Sequence, residues 1–115
     1  MKTHYLFGLP FVTISIGNRE IDVLIDTGFN GALSLPDSVM EGITLLKMGP
    51  TEYVMADGTI SSSDMYAAEI MWLGKVREVE IISSTSDIPL IGMDLLQYAK
   101  TTLYPSKNIL SIEPA

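Results

Sequence analysis

Apolar and polar positions alternate with period two along most of this chain, the signature of strands with one dry and one wet face. Over residues 11–16, Val12, Ile14 and Ile16 share one face while Phe11, Thr13 and Ser15 share the other. Gly17-Asn18 supplies two turn-forming residues, and 20–25 returns as the second arm of a hairpin. The stretch 32–35 is short and apolar, and Pro36-Asp37-Ser38 ends it with a turn or a single helical turn. Residues 43–48 form an apolar run closed by Gly49-Pro50. Asp57-Gly58 is the strongest hairpin signal, flanked by arms over 52–56 and 59–65. Ser61-Ser62-Ser63-Asp64 is too polar to pack well, so this hairpin is expected to project and move.

Further on, 66–73 alternates again, Gly74-Lys75 turns the chain, and 76–82 returns with Val79 and Ile81 dry and Glu78 and Glu80 wet. After a polar loop over 83–87, residues 88–91 re-enter the core. The helical pattern over 93–100 has Asp94 near its start and Lys100 near its end, as the helix dipole favours. A last hairpin joins 101–104 to 109–112 through Pro105-Ser106-Lys107-Asn108. The pattern reads as all-β, one domain over residues 1–115, without linker or repeat.

The strand over 21–25 delivers one carboxylate, Asp26, into a turn bounded by Gly28 and Gly31. Read alone, Asp26-Thr27-Gly28 is compatible with an Asx-turn, in which the side chain caps its own backbone two residues on. Asp26, Asn30, Gly31 and Asp37 also fall at positions 1, 5, 6 and 12 of an EF-hand calcium loop. That reading fails because position 3 is Gly28, which has no side-chain ligand, and a strand stands where the incoming helix is required.

Composition narrows the chemistry. With 14 acidic and 7 basic residues the net charge is -7, which argues against a nucleic-acid or anionic-membrane partner. No run approaches the roughly 18 uninterrupted apolar residues of a membrane helix. The first eight residues lack the apolar core and cleavage site of a signal peptide, so a cytoplasmic location is expected. Cysteine is absent, which removes disulfides, thiol catalysis and thiolate metal sites. The lone histidine, His4, reads as an exposed residue near a mobile terminus, which leaves no Ser-His-Asp arrangement. No metal-ligand spacing and no phosphate-cradling Gly-x-x-x-x-Gly-Lys loop is present, so neither metal nor cofactor is expected. Carboxylate chemistry remains.

Downstream, Pro89-Leu90-Ile91-Gly92-Met93-Asp94-Leu95-Leu96 sets two apolar residues and a glycine ahead of a short helical pattern. Together with an apolar strand ending in Asp26-Thr27-Gly28, this resembles the retropepsin-like aspartic proteases. Asp26-Thr27-Gly28-Phe29 is most similar to their small prokaryotic and archaeal branch with a DTGF signature. The resemblance spans about residues 9–104. It implies a closed β-barrel with one short C-terminal helix, one flap hairpin per chain and half an active site per chain. Hydrolysis by carboxylates needs one ionised and one protonated group, and two carboxyls about 3 Å apart share one proton. With a single Asp-Thr-Gly, a homodimer whose two Asp26 residues meet on a two-fold axis is expected.

The resemblance also implies roles. Asp26 is acid and base, Thr27 bonds across the axis, and Gly28 lets substrate backbone approach. Asn30, the flap-tip residues Met55, Ala56, Asp57 and Gly58, and the cleft-facing Ile88 and Leu90 would hold an extended peptide or protein substrate. Departures are visible. Phe29 replaces a residue that often carries a hydroxyl, which predicts activity at less acidic pH. Asn30 and Met93 stand where viral relatives pair an Asp with an Arg, the flap lacks a multi-glycine tip, and the C-terminal hairpin runs past the viral pattern. The contrasting reading is a catalytically silent β-barrel domain that binds a peptide or partner.

Overall fold

β1 (Thr3–Leu6), β2 (Leu9–Ile16) and β3 (Arg19–Ile25) form an antiparallel meander in the computed structural model, which describes residues 2–115. The alternation read along 11–25 is realised as register. Val12 lies opposite Val23 and Ile14 opposite Ile21, and all four are buried. β1 is not predicted by the periodicity. It pairs with β2 from Thr3↔Val12 to Leu6↔Leu9, and the hydroxyls of Thr3 and Tyr5 donate to the carbonyls of Leu110 and Ile109. His4 is therefore not on a mobile end. Its ring stacks on Phe11 at 5.9 Å between centroids, and Nε2 lies 3.6 Å from Asp22. The cause is a tight turn at Phe7-Gly8, both at positive φ, which folds the terminus back onto β2.

β4 (Leu33–Pro36) is buried throughout and runs into a single helical turn, α1 (Asp37–Met40). β5 (Leu46–Val54) then pairs with β6 (Ile60–Trp72), which pairs in turn with β7 (Lys75–Ser84). Gly49-Pro50 does not close the run of β5 as the sequence suggests. Gly49 has φ 103, the register shifts between Lys47 and Gly49, and the resulting bulge keeps the strand going. Pro50 is tolerated because β5 is the edge of the sheet. The stretches 59–65 and 66–73, expected as separate arms, join into the single 13-residue β6.

β8 (Leu90–Ile91) lies parallel to β3 and antiparallel to β4, and leads into α2 (Met93–Leu96). The helix expected over 93–100 stops at one turn. Ala99 and Lys100 pair with Pro114 and Glu113 in the hairpin of β9 (Ala99–Tyr104) and β10 (Ile109–Pro114), so Lys100 is a strand residue and caps no helix. That hairpin turns through a 3-10 segment, Pro105–Lys107, and Asn108 in the left-handed region.

The main sheet has the order β1-β2-β3-β8-β4-β7-β6-β5, and the pair Ile16↔Ile70 joins β2 to β6, curling the sheet into a ring. The dry faces of β2, β3, β4, β6 and β7 meet inside it around Trp72. Trp72 is fully buried, and its indole N–H donates to the Leu95 carbonyl at 3.1 Å, tying β6 to α2. No helix among the described residues is long and apolar enough to cross a membrane.

Candidate active site

Asp26 is the first residue beyond β3, and the parallel pairing with β8 decides where it stands. Leu24 and Ile25 lie beside Leu90 and Ile91, the Leu24 N–H donates to the Pro89 carbonyl, and the Asp26 N–H donates to Ile91 at 2.9 Å. The Asx-turn is present: the Gly28 N–H donates to Asp26 Oδ1 at 2.9 Å, and the Phe29 N–H donates to the Asp26 carbonyl. Backbone and side chain are thus fixed by the same turn.

The other wall of the loop is the start of α2. A helix leaves its first N–H groups without partners of its own. Here Met93 donates to the Phe29 carbonyl at 2.8 Å and Asp94 to the Gly31 carbonyl at 3.2 Å. This approach explains the glycine before α2. A Cβ at Gly92 would stand 2.4 Å from the Gly31 carbonyl and 2.6 Å from that of Phe29, both backbone atoms that cannot swing away. Gly92 has an ordinary extended φ, so the conflict is purely one of space. Gly92→Ala is expected to cost about 1–3 kcal/mol or more by overpacking, read as a lower urea midpoint at unchanged slope.

Phe29 is 3% exposed, and its ring fills the space left by Gly31, where a Cβ would stand 2.5 Å from the ring tip. The ring meets Tyr53 of β5 edge-on, centroids 6.1 Å apart. Asn30 Oδ1 accepts the Val54 N–H at 3.2 Å. Ahead of them the tip of the β5–β6 hairpin lies over the loop: a Cβ on Gly28 would come 2.8 Å from Ala56 Cβ and 3.3 Å from Asp26 Oδ1. Between tip and loop is a small cleft of about 100 Å³ that contains Asp26, Ser34, Tyr53, Met55, Ser84 and Leu90.

No family model and no curated protein matches the chain. Among solved structures it is similar to a foamy viral protease-reverse transcriptase, determined in complex with an RNA/DNA hybrid, with TM-score 0.61 and 16% identity. The match covers 84% of this chain and 13% of that one. At this identity the likeness is one of fold, and the chain spans about an eighth of the length of the viral protein.

Within this fold, the residues singled out from the sequence fall into three places. Asp26, Met55, Ala56 and Leu90 line the cleft, with Gly28 against Ala56 and Asn30 on Val54. Thr27 is exposed and lines a separate apolar groove of about 240 Å³ with Ile25, Met93, Leu96 and Leu103. Asp57 and Gly58 form the hairpin turn, and Ile88 is 43% exposed, so the structure does not bring these three into the cleft lining. Sequence reasoning passed over Tyr53, Ser34 and Ser84. Tyr53 was findable, since it sits two residues before Met55 on an alternating strand and so shares its face. The serines carry no such signal, because Ser34 lies inside a strand whose every residue is buried.

A wider depression of about 330 Å³ lies beside Phe29, with Glu52, Glu78, Glu80 and Asp94 around it. No group of His, Cys, Asp or Glu among the described residues is arranged to hold a metal ion.

Asp57 stabilises the hairpin turn. Its Oδ1 accepts the Thr59 hydroxyl at 2.7 Å and the Thr59 N–H at 2.9 Å, and these bonds hold the carboxyl below the ordinary value of 3.8. Because the folded value is the lower one, the contribution is complete above 3.8 and is lost as pH falls through the folded value. Thr59 amide exchange, corrected for its intrinsic pH dependence, is expected to accelerate in that acidic range in the wild type. In Asp57→Asn it should show no such step.

Proposed function

We propose that this chain is an aspartic endopeptidase that works as a homodimer, with Asp26 of each protomer meeting at the two-fold axis. The observation that carries the reading is the placement of Asp26: at the end of β3, pinned by Ile91, turned by the Gly28 N–H and roofed by Ala56. In the dimer the two carboxyls share one proton. The ionised member takes a proton from water, and the water oxygen attacks the peptide carbonyl carbon. The protonated member hydrogen-bonds the carbonyl oxygen as charge develops there. Collapse of the tetrahedral intermediate breaks the C–N bond, and the departing nitrogen takes the proton that came from water. No cofactor is needed. Gly28, having no side chain, admits the backbone of an extended peptide once Ala56 lifts away, and Met55 and Leu90 offer apolar contact beside the cleaved bond.

The partner docks beside Thr27 in this reading, on the groove of Ile25, Met93, Leu96 and Leu103. β1 supports this choice, since it is already paired with β2 and bonded to β10 within its own chain. A second reading, a silent peptide-binding domain, is favoured by one observation: Ala56 already sits on Gly28, where a substrate backbone would lie. The test is sedimentation together with digestion of a mixed peptide library between about pH 4 and 7, the range that brackets shared-proton dyads. A dimer that cleaves between apolar residues is expected. A strict monomer that cleaves nothing would leave the binding reading.

A further inference from the structure

We propose that Phe29 and Asn30 are positioning residues that clasp the first arm of the β5–β6 hairpin onto the Asp26 loop and hold the cleft shut in the empty protomer. The two are consecutive, and so are their partners. Phe29 packs edge-on against Tyr53, and Asn30 Oδ1 accepts the Val54 N–H. Strand geometry explains why that N–H is free to be taken. The next amide, Met55, donates across the hairpin to the Thr59 carbonyl at 2.9 Å, so Val54 faces the outer side of β5. β5 is the edge of the sheet, and its outward N–H groups have no neighbouring strand.

The clasp depends on room made for one ring. Gly31 supplies it, since the three nearest atoms an added Cβ would meet there all belong to the Phe29 ring. With the ring seated and Asn30 bonded, the hairpin tip comes down until Ala56 rests on Gly28 and approaches Asp26. An extended peptide would need that same space, so the clasp must release before substrate enters. This gating consequence rests on the reading of the cleft as a peptide site; the clasp itself is a property of the empty chain.

Amide hydrogen exchange on the full chain without peptide tests it. A lost neutral hydrogen bond or aromatic contact corresponds to about a two- to tenfold change in an opening equilibrium. Asn30→Ala is therefore expected to speed exchange of Val54 by about that factor, and Asn30→Asp, which keeps an acceptor, to restore protection. Phe29→Leu and Gly31→Ala, which respectively remove and displace the ring, should accelerate Val54 comparably while the amides of β2 and β3 keep theirs. Asn30 is exposed, so Asn30→Ala serves if the Phe29 variant fails to fold. Unchanged Val54 exchange in Asn30→Ala and Phe29→Leu overturns the clasp. Peptide cleavage is read separately: faster exchange without any cleavage keeps the clasp and removes the protease, whereas cleavage with unchanged exchange does the reverse.

Discussion

Asp26→Asn is expected to lower peptide cleavage by at least about a thousandfold while leaving fold and dimer intact. General acid–base groups contribute about 10²–10⁴ in rate, and a thousandfold loss corresponds to about 4 kcal/mol of barrier. The substitution is nearly isosteric, and the amide oxygen of Asn still accepts the Gly28 N–H that closes the turn. A loss of cleavage with unchanged urea midpoint and sedimentation would therefore report chemistry, not unfolding. Subunit mixing sharpens the result. If each active site needs one carboxylate from each chain, an equimolar mixture at exchange equilibrium retains about a quarter of the activity of all-wild-type protein, because only that share of symmetric dimers has two Asp26 residues. Retention of about half would mean that each chain acts alone, and would sink the shared dyad.

Trp72→Ala is expected to cost about 3–5 kcal/mol, the usual loss for truncating a buried Trp. Folded domains have only about 5–15 kcal/mol in total, so the variant would be largely unfolded in mild denaturant. Trp72 is fully buried inside the ring of strands, and among the described residues it alone carries a side-chain hydrogen bond from the sheet to α2, through Leu95. Its loss would also loosen the helical turn whose N–H groups hold the Phe29 and Gly31 carbonyls. Trp72→Phe separates the two contributions. It keeps most of the apolar surface but removes the indole donor from the Leu95 carbonyl, which still accepts the Tyr98 N–H at 3.3 Å, so about 0.5–1.5 kcal/mol is expected. A urea titration in which Trp72→Ala shifts stability by less than about 1 kcal/mol would contradict the central place given to this residue.

Some features of the site were open to view in the linear order. Asp26 at the end of an apolar strand, Gly28 and Gly31 just after it, and an apolar-apolar-glycine motif at 90–92 point to one loop, and the parallel pairing of β3 with β8 brings them together. The Asx-turn that serves as the plain reading of Asp26-Thr27-Gly28 is also real, and the same hydrogen bond orients the carboxylate. Phe29 is different. From the sequence it registers as a missing hydroxyl, while in the fold its ring is the packed link between the loop and Tyr53, a residue 24 positions away.

By itself the amino-acid order determined the all-β class, the dry faces of β2, β3 and β7, most of the turns and the position of Asp26 at the end of an apolar strand. These follow from period-two burial and from local turn stereochemistry, which act within a few residues. Only the tertiary structure decided that 3–6 is a strand and His4 a packed ring, and that Gly49-Pro50 is a bulge inside a strand. It also decided that α2 ends after one turn and that Ile16 meets Ile70 to close the ring. Each of these depends on a partner strand far away in sequence. Alternation reports which side of a strand is dry; which neighbour makes it dry is decided by pairing and packing between distant segments.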